Sequence, residues 1–406
     1  MFKLALGVMT AIGGFVDIGN LVTSGITGAR FGMSLTWAVV IGTIGMTIYG
    51  EMAGRVTAVA QRSVFDVVRE RLGVRAALLN LIAFVILAVL TLAAEIGGIA
   101  LVLGLATGVT YLVFVPFVGA AVWLVVWRLK FSVMENVLGL LGLCLVVYVV
   151  ALFVLPTDWR GLGHESLHPS VPAGESTSTY FFYAISLFGA CVAPYQVVFF
   201  SSGGREEHWT SASLPEVRPN ALLGFPLGGL LSIAIMAAAS VALRPEHVDV
   251  TTLGQVAQPL TQALGNWGLA VGLVGFLAAM FAAAAECALS VGYSIGQLFG
   301  WTWGKDRHPR DAPRFHLACL VAIAIATAFI LTSVDPVQVT VVSVVLGAAA
   351  VPLTYFPVLV VANDRGYMSG RINGRWTNAA SVGFLALMTA TSIAAVPLLF
   401  VTKAGQ

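Results

Sequence analysis

Charge is what this 406-residue chain has least of: Asp, Glu, Lys and Arg together make 10% of it, against 58% hydrophobic residues. Mean hydropathy is +0.93. A soluble domain needs far more polar surface, so the composition excludes one and points to a polytopic α-helical membrane protein. Histidine is scarce as well. His164, His168, His208, His247 and His308 lie in loops and His316 at the mouth of an apolar stretch, which excludes a transmembrane histidine relay. The four cysteines, Cys144, Cys191, Cys287 and Cys319, show no paired spacing and read as small buried apolar residues. No nucleophile–base pair, metal cluster or phosphate loop is legible, so nothing suggests an enzyme. The start, Met1-Phe2-Lys3, lacks a basic region followed by a small-residue cleavage site, and the first apolar stretch reads as a retained helix. A net charge of +2 gives no reason to expect a nucleic-acid partner.

What the chain has is apolar length. With roughly 20 residues needed per crossing, about eleven stretches qualify, near 5–25, 34–58, 77–104, 109–127, 133–155, 179–202, 219–243, 266–300, 313–332, 337–361 and 379–401. The connections are short, so residues 1–406 form one transmembrane domain. Segments 156–178 and 244–265 read as outer loops, 301–312 and 363–376 as polar inner loops, and 203–218 has room for a short interfacial helix. Basic residues collect on one side: Lys3, Arg55, Arg62, Arg69, Arg71, Arg75, Arg128, Lys130, Arg205, Arg218, Lys305, Arg307, Arg310, Arg314, Arg365, Arg371 and Arg375, against Arg30, Arg160, Arg244 and Lys403 on the other. That asymmetry places the N-terminus in the cytoplasm and, with an odd number of crossings, the C-terminus outside the plasma (inner) membrane. Tryptophans such as Trp37, Trp127 and Trp301 cluster near stretch ends as interfacial anchors.

Against this apolar background, Asp17-Ile18-Gly19-Asn20 in the middle of the first stretch stands out. An ionisable residue in hydrocarbon is costly and marks a functional site by default. Gly13, Gly14 and Gly19 ease local unwinding, which would expose carbonyl oxygens beside the carboxylate. Hard oxygens converging at the midplane are what a cation site requires. The sixth stretch breaks similarly around Gly189-Ala190-Cys191-Val192-Ala193-Pro194-Tyr195-Gln196, where Pro194 removes a backbone donor. Two interrupted stretches five apart are the mark of an inverted-repeat transporter, with repeat one about 1–155, repeat two about 179–361, and an eleventh stretch about 379–401 outside the repeat.

Asp17 is the expected anionic ligand and Asn20 a side-chain carbonyl ligand, while the Gly14 and Ala190 carbonyls are freed at the breaks. Gln196 either completes the shell or hydrogen-bonds the broken backbone. Glu95, in the third stretch, is either a protonated structural residue or a proton acceptor or vestibule charge. Glu286 interrupts the alanine run 282–285 and either faces the aqueous path or pairs with a donor. Glu51 and Arg55 form an i,i+4 pair, and Glu135 is interfacial.

These residues resemble the NRAMP family of divalent-metal transporters, with order conserved over most of the chain. Asp17-Ile18-Gly19-Asn20 is similar to the family's DPGN signature. Glu51-Met52-Ala53-Gly54-Arg55 with Val68-Arg69-Glu70-Arg71, the Thr91–Gly98 segment with Glu95, and Val351-Pro352-Leu353 with Asn363-Asp364-Arg365-Gly366-Tyr367-Met368 look like further family segments. The resemblance implies an all-α polytopic membrane protein of leucine-transporter type, with stretches 1–5 and 6–10 inverted relative to each other. It implies a monomer that moves a divalent cation and needs no cofactor besides that cargo. Ala193-Pro194-Tyr195-Gln196 stands where the family usually reads MPHN, so Ala193 replaces a methionine thioether at the ion. Loss of the soft ligand, as in the NRAMP-related magnesium transporters, favours Mg²⁺ with Mn²⁺ also accepted. Tyr195 and Leu92 stand where proton-coupled members carry histidine and aspartate, which implies uncoupled transport. Ile18 replaces the signature proline, and Val345 a glutamine of the tenth helix. Two alternatives stay open: a proton-coupled Mn²⁺/Fe²⁺ transporter with Cys191 near the ion, and an organic-amine transporter with Asp17 binding the amine and Tyr195 stacking on it.

Overall fold

The structure is a computed structural model and describes residues 15–405; Gly13, Gly14 and everything before them lie outside the described residues, as does the side chain of Glu135. The helices run α1 Ile18–Phe31, α2 Thr36–Ala60, α3 Val64–Thr107, α4 Val115–Arg128, α5 Phe131–Gly142, α6 Val147–Val154, α7 Trp159–Leu167, α8 Thr177–Cys191, α9 Pro194–Glu206, α10 Leu214–Ala242, α11 Leu253–Phe299, α12 Pro313–Leu331, α13 Pro336–Ala362, α14 Arg365–Met368 and α15 Arg375–Val401. Each of the eleven apolar stretches therefore carries helix. Among the described residues eight helical segments are long and apolar enough to cross a membrane, with Val115–Arg128 a shorter apolar one.

Local chemistry sets the boundaries. A capping box between Ser63 and Asp66 starts α3 at Val64, earlier than the expected 77, and Gly73 at φ 73° then redirects the chain into the apolar part. The same device recurs at α11. Thr252 and Gln255 form a capping box, and Gly265 at φ 65° breaks the helix. The segment 244–265 is thus helical from Leu253 rather than a loop, because its caps outweigh its polarity. Segment 156–178 likewise holds α7, whose first turn Asp158 caps through Arg160 N. In 203–218, α9 continues to Glu206 and a single 3₁₀ turn, Ser211–Ser213, leads into α10. The Gly73 and Gly265 breaks precede the third and eighth stretches, again five apart.

α3 and α11 pack against each other more extensively than any other described helix pair, and α13 lies along α3. α1 packs on α10 and α8. α15 stays largely outside this core, with Ile393 71% and Phe400 76% exposed. One polar knot ties the helix ends together. Arg55, only 2% exposed, donates to Glu51 Oε1 (3.0 Å), to Arg371 O (2.7 Å) and to Asn373, and Glu51 also receives Arg218.

Candidate cation site

The broken segments face each other. Asp17 is extended (φ −117°, ψ −175°) and caps α1, its Oδ1 accepting Asn20 N at 2.8 Å. On the other side α8 stops at Cys191, Val192 is non-helical, and Ala193 is extended before Pro194 opens α9. Proline suits that first helical position because its missing N–H would have been unpaired there. Each break leaves carbonyls without helical partners, and the two breaks aim them at one another.

Asp17, Asn20 and Gln196 are 2%, 1% and 4% exposed. The Asn20 carboxamide sits at the centre: Nδ2 donates to Phe15 O (3.0 Å), Ala190 O (3.1 Å) and Asp17 Oδ1 (3.2 Å). Asp17 Oδ2 accepts the Tyr195 hydroxyl at 2.8 Å. Gln196 Nε2 donates to Phe15 O at 3.2 Å, so it hydrogen-bonds the broken backbone, and it also reaches the Tyr195 hydroxyl at 3.5 Å. A carboxylate, two main-chain carbonyls and a carboxamide thus share one small volume, an oxygen-rich set suited to a hard cation. Ala193 lines a cavity of about 20 Å³ with Asp17, Thr91, Gly189 and Tyr195, room for about one water.

Glu95 is fully buried, and its Oε1 accepts Ile18 N at 3.2 Å. The third stretch therefore supplies a carboxylate to the first free N–H of α1, where the helix dipole favours negative charge. Its Oε2 has no hydrogen-bond partner among the described residues. Glu286, half-buried on α11, lies within electrostatic reach of Glu95 and Tyr195. Leu92 and Val345 are buried and apolar. Gly14 lies outside the described residues.

Sequence reasoning missed Ser232 on α10, whose hydroxyl donates to Asn20 Oδ1 at 3.1 Å, and Ser290 on α11, which donates to Tyr195 O at 3.1 Å. A serine in an apolar helix is ordinary, and only the packing of α10 on α1 reveals what it touches. Cys191 is also at the site, its thiol donating to Asn20 Oδ1 at 3.8 Å.

The protein-family profile described as Nramp, natural resistance-associated macrophage protein-like, matches residues 7–397. A divalent metal cation transporter MntH from Verminephrobacter eiseniae is 25% identical over 399 residues, covering 94% of this chain and 84% of that protein. Another MntH, from Acidiphilium cryptum, is 25% identical over 273 residues, 65% of this chain and 62% of that relative's length. Among solved structures, the Eremococcus coleocola manganese transporter in complex with an aromatic bis-isothiourea substituted compound superposes with a TM-score of 0.79 at 17% identity, over 98% of this chain and 86% of that one. Mhp1, a nucleobase-cation-symport-1 family transporter, aligns at 0.64 with 15% identity, over 99% and 92%. These likenesses establish the leucine-transporter fold of a polytopic membrane protein, and with the family profile spanning nearly its whole length, the chain belongs to the Nramp family.

Proposed function

We propose that this chain moves divalent metal cations, Mg²⁺ and also Mn²⁺, across the plasma membrane by alternating access and without proton coupling. It does so as a monomer with its N-terminus in the cytoplasm and its C-terminus outside. The observation that carries the reading is the site's composition: Asp17 Oδ1, Phe15 O and Ala190 O gather around the Asn20 side chain, and position 193 offers a methyl beside a water-sized void. Mg²⁺ dehydrates reluctantly and keeps waters, so oxygen ligands with room for a water suit it. The relatives named divalent metal cation transporter MntH and the Eremococcus manganese transporter support the cargo class. Tyr195 supports the absence of coupling, because it bonds directly to Asp17 and a phenol keeps its proton throughout the neutral range instead of handing it on. The membrane potential supplies the drive: a divalent cation gains roughly 4.6 kcal/mol at about −100 mV.

The test is flux into proteoliposomes with an internal pH dye, Mg²⁺ and Mn²⁺ separately, wild type against Asp17→Ala. Uptake of both ions without acidification, lost in the variant, is the expected result. Acidification that tracks Mn²⁺ uptake would overturn the uncoupled reading, and flux that survives Asp17→Ala would overturn the site. The Cys191 thiol, 3.8 Å from Asn20 Oδ1, favours a second reading in which a softer ion is preferred. That reading requires Mn²⁺ flux blocked by thiol reagents and absent Mg²⁺ flux.

A further inference from the structure

The Asn20 carboxamide presents its nitrogen to the oxygens of the candidate site. Its NH₂ has two hydrogens, yet three oxygens face it at 3.0–3.2 Å: Phe15 O, Ala190 O and Asp17 Oδ1. Turned the other way, Oδ1 would face a carboxylate oxygen and two carbonyls, an arrangement that repels unless a cation lies between them. Amide orientation and occupancy therefore exclude each other. In this structure the NH₂ points in; a cation among the same oxygens requires Oδ1 to point in and the NH₂ to point out.

What waits on the outer side decides whether that inversion is possible. In this structure Oδ1 accepts from Ser232 Oγ (3.1 Å) and, more weakly, from Cys191 Sγ (3.8 Å). A hydroxyl donates or accepts as required, whereas a thiol is a weak acceptor. After inversion Ser232 Oγ takes a hydrogen from Nδ2 and turns its own toward Gly228 O, already 3.4 Å away. We propose that Ser232 is the positioning residue that lets the Asn20 carboxamide invert, so that its amide gives up the site oxygens in exchange for a cation. This rests on the reading of Asp17 and Asn20 as the cation site.

The sign of the effect follows from an asymmetry. Without the hydroxyl, the empty state leaves a carbonyl oxygen with the Cys191 thiol still donating, which is tolerable. The loaded state leaves a buried N–H facing only sulfur, which is not. Ser232→Ala therefore weakens binding, by about tenfold.

The experiment measures Mn²⁺ binding by titration calorimetry on the purified full chain, with uptake in proteoliposomes and melting with and without Mn²⁺. Ser232→Ala is expected to raise Kd about tenfold, the loss falling on KM more than on Vmax, and Ser232→Thr to restore it. The Mn²⁺-saturated variant should lose more thermal stability than the Mn²⁺-free one, whereas a merely structural serine would lower both equally. A Kd within about twofold of wild type, or a loss that Ser232→Thr does not repair, would overturn the proposal. Should Ser232→Ala fail to fold, Ser232→Cys supplies a weaker acceptor: an intermediate Kd supports the inversion and an unchanged one overturns it. Asp17→Ala separates the two levels. If it abolishes binding while Ser232→Ala changes nothing, the inversion alone fails; if it binds Mn²⁺ normally, the site reading itself fails.

Discussion

Gly189 sits on α8 one residue before Ala190, with the main chain of α13 directly against it. A Cβ placed there would lie 2.3 Å from Val344 O and 3.0 Å from the Ala348 Cβ. Ordinary contact begins at 3.4 Å, so Gly189→Ala falls roughly 1.1 Å short, and the obstacle is backbone that no rotamer change can move. α8 and α13 must separate. Overpacking of this kind costs about 1–3 kcal/mol, here toward the upper end, and the helix preference of Ala over Gly returns about 1 kcal/mol. The net loss is about 2 kcal/mol. On the proposed site a functional loss comes in addition, because Ala190 O moves with α8, and Mg²⁺ requires its ligands near ~2.1 Å with little latitude. Loss of one ligand worth ~1.4 kcal/mol lowers uptake at subsaturating Mg²⁺ about tenfold. The control is Gly347→Ala on α13, which borders the same cavity but whose Cβ would meet only Pro194 Cδ at 4.0 Å. It should leave the α8–α13 packing intact and melt at the wild-type temperature or slightly above. Melting curves on both variants, with Mg²⁺ uptake on Gly189→Ala against wild type, decide the matter: Gly189→Ala melting like Gly347→Ala would refute the close approach of the two helices.

Ala193→Met should raise the preference for Mn²⁺ over Mg²⁺ about tenfold, measured as competitive uptake, because a thioether enters beside Asp17; an unchanged ratio would mean that position 193 does not face the ion. Tyr195→His should make Mn²⁺ uptake acidify the vesicle lumen, since an imidazole titrating near ~6.5 would replace a phenol bonded to Asp17. Failure of the dye to respond while uptake persists would show that the α9 residue does not govern coupling. Arg55→Leu should destabilise the protein by about 3 kcal/mol, at the low end for a broken buried pair because Glu51 keeps Arg218. Melting within about 1 °C of wild type would assign Arg55 no structural weight.

Much of the candidate site was legible because hydrocarbon makes polarity conspicuous. Asp17 and Asn20 stand out as two polar residues in an apolar stretch, and Pro194 marks the second break. The two breaks do face each other, with Ala190 O reaching the Asn20 side chain. Glu95 was visible as a residue but its partner was not: its acceptor role at Ile18 N joins positions 77 residues apart. The starts of α3 and α11 were misplaced because hydropathy counts apolar length, whereas Ser63 with Asp66 and Thr252 with Gln255 begin helices in polar sequence.

The sequence alone determined the number of apolar stretches, the position of both breaks and the carboxylate at the first of them. Those follow from composition and from the local backbone chemistry of glycine and proline, which act within one turn. Only the tertiary structure decided which oxygens converge, that Ser232 and Cys191 stand behind Asn20, and that the carboxamide presents its NH₂ to the site. Each of these depends on α1, α8 and α10 packing side by side, and hydrogen bonds between helices are set by that packing rather than by anything a single helix contains.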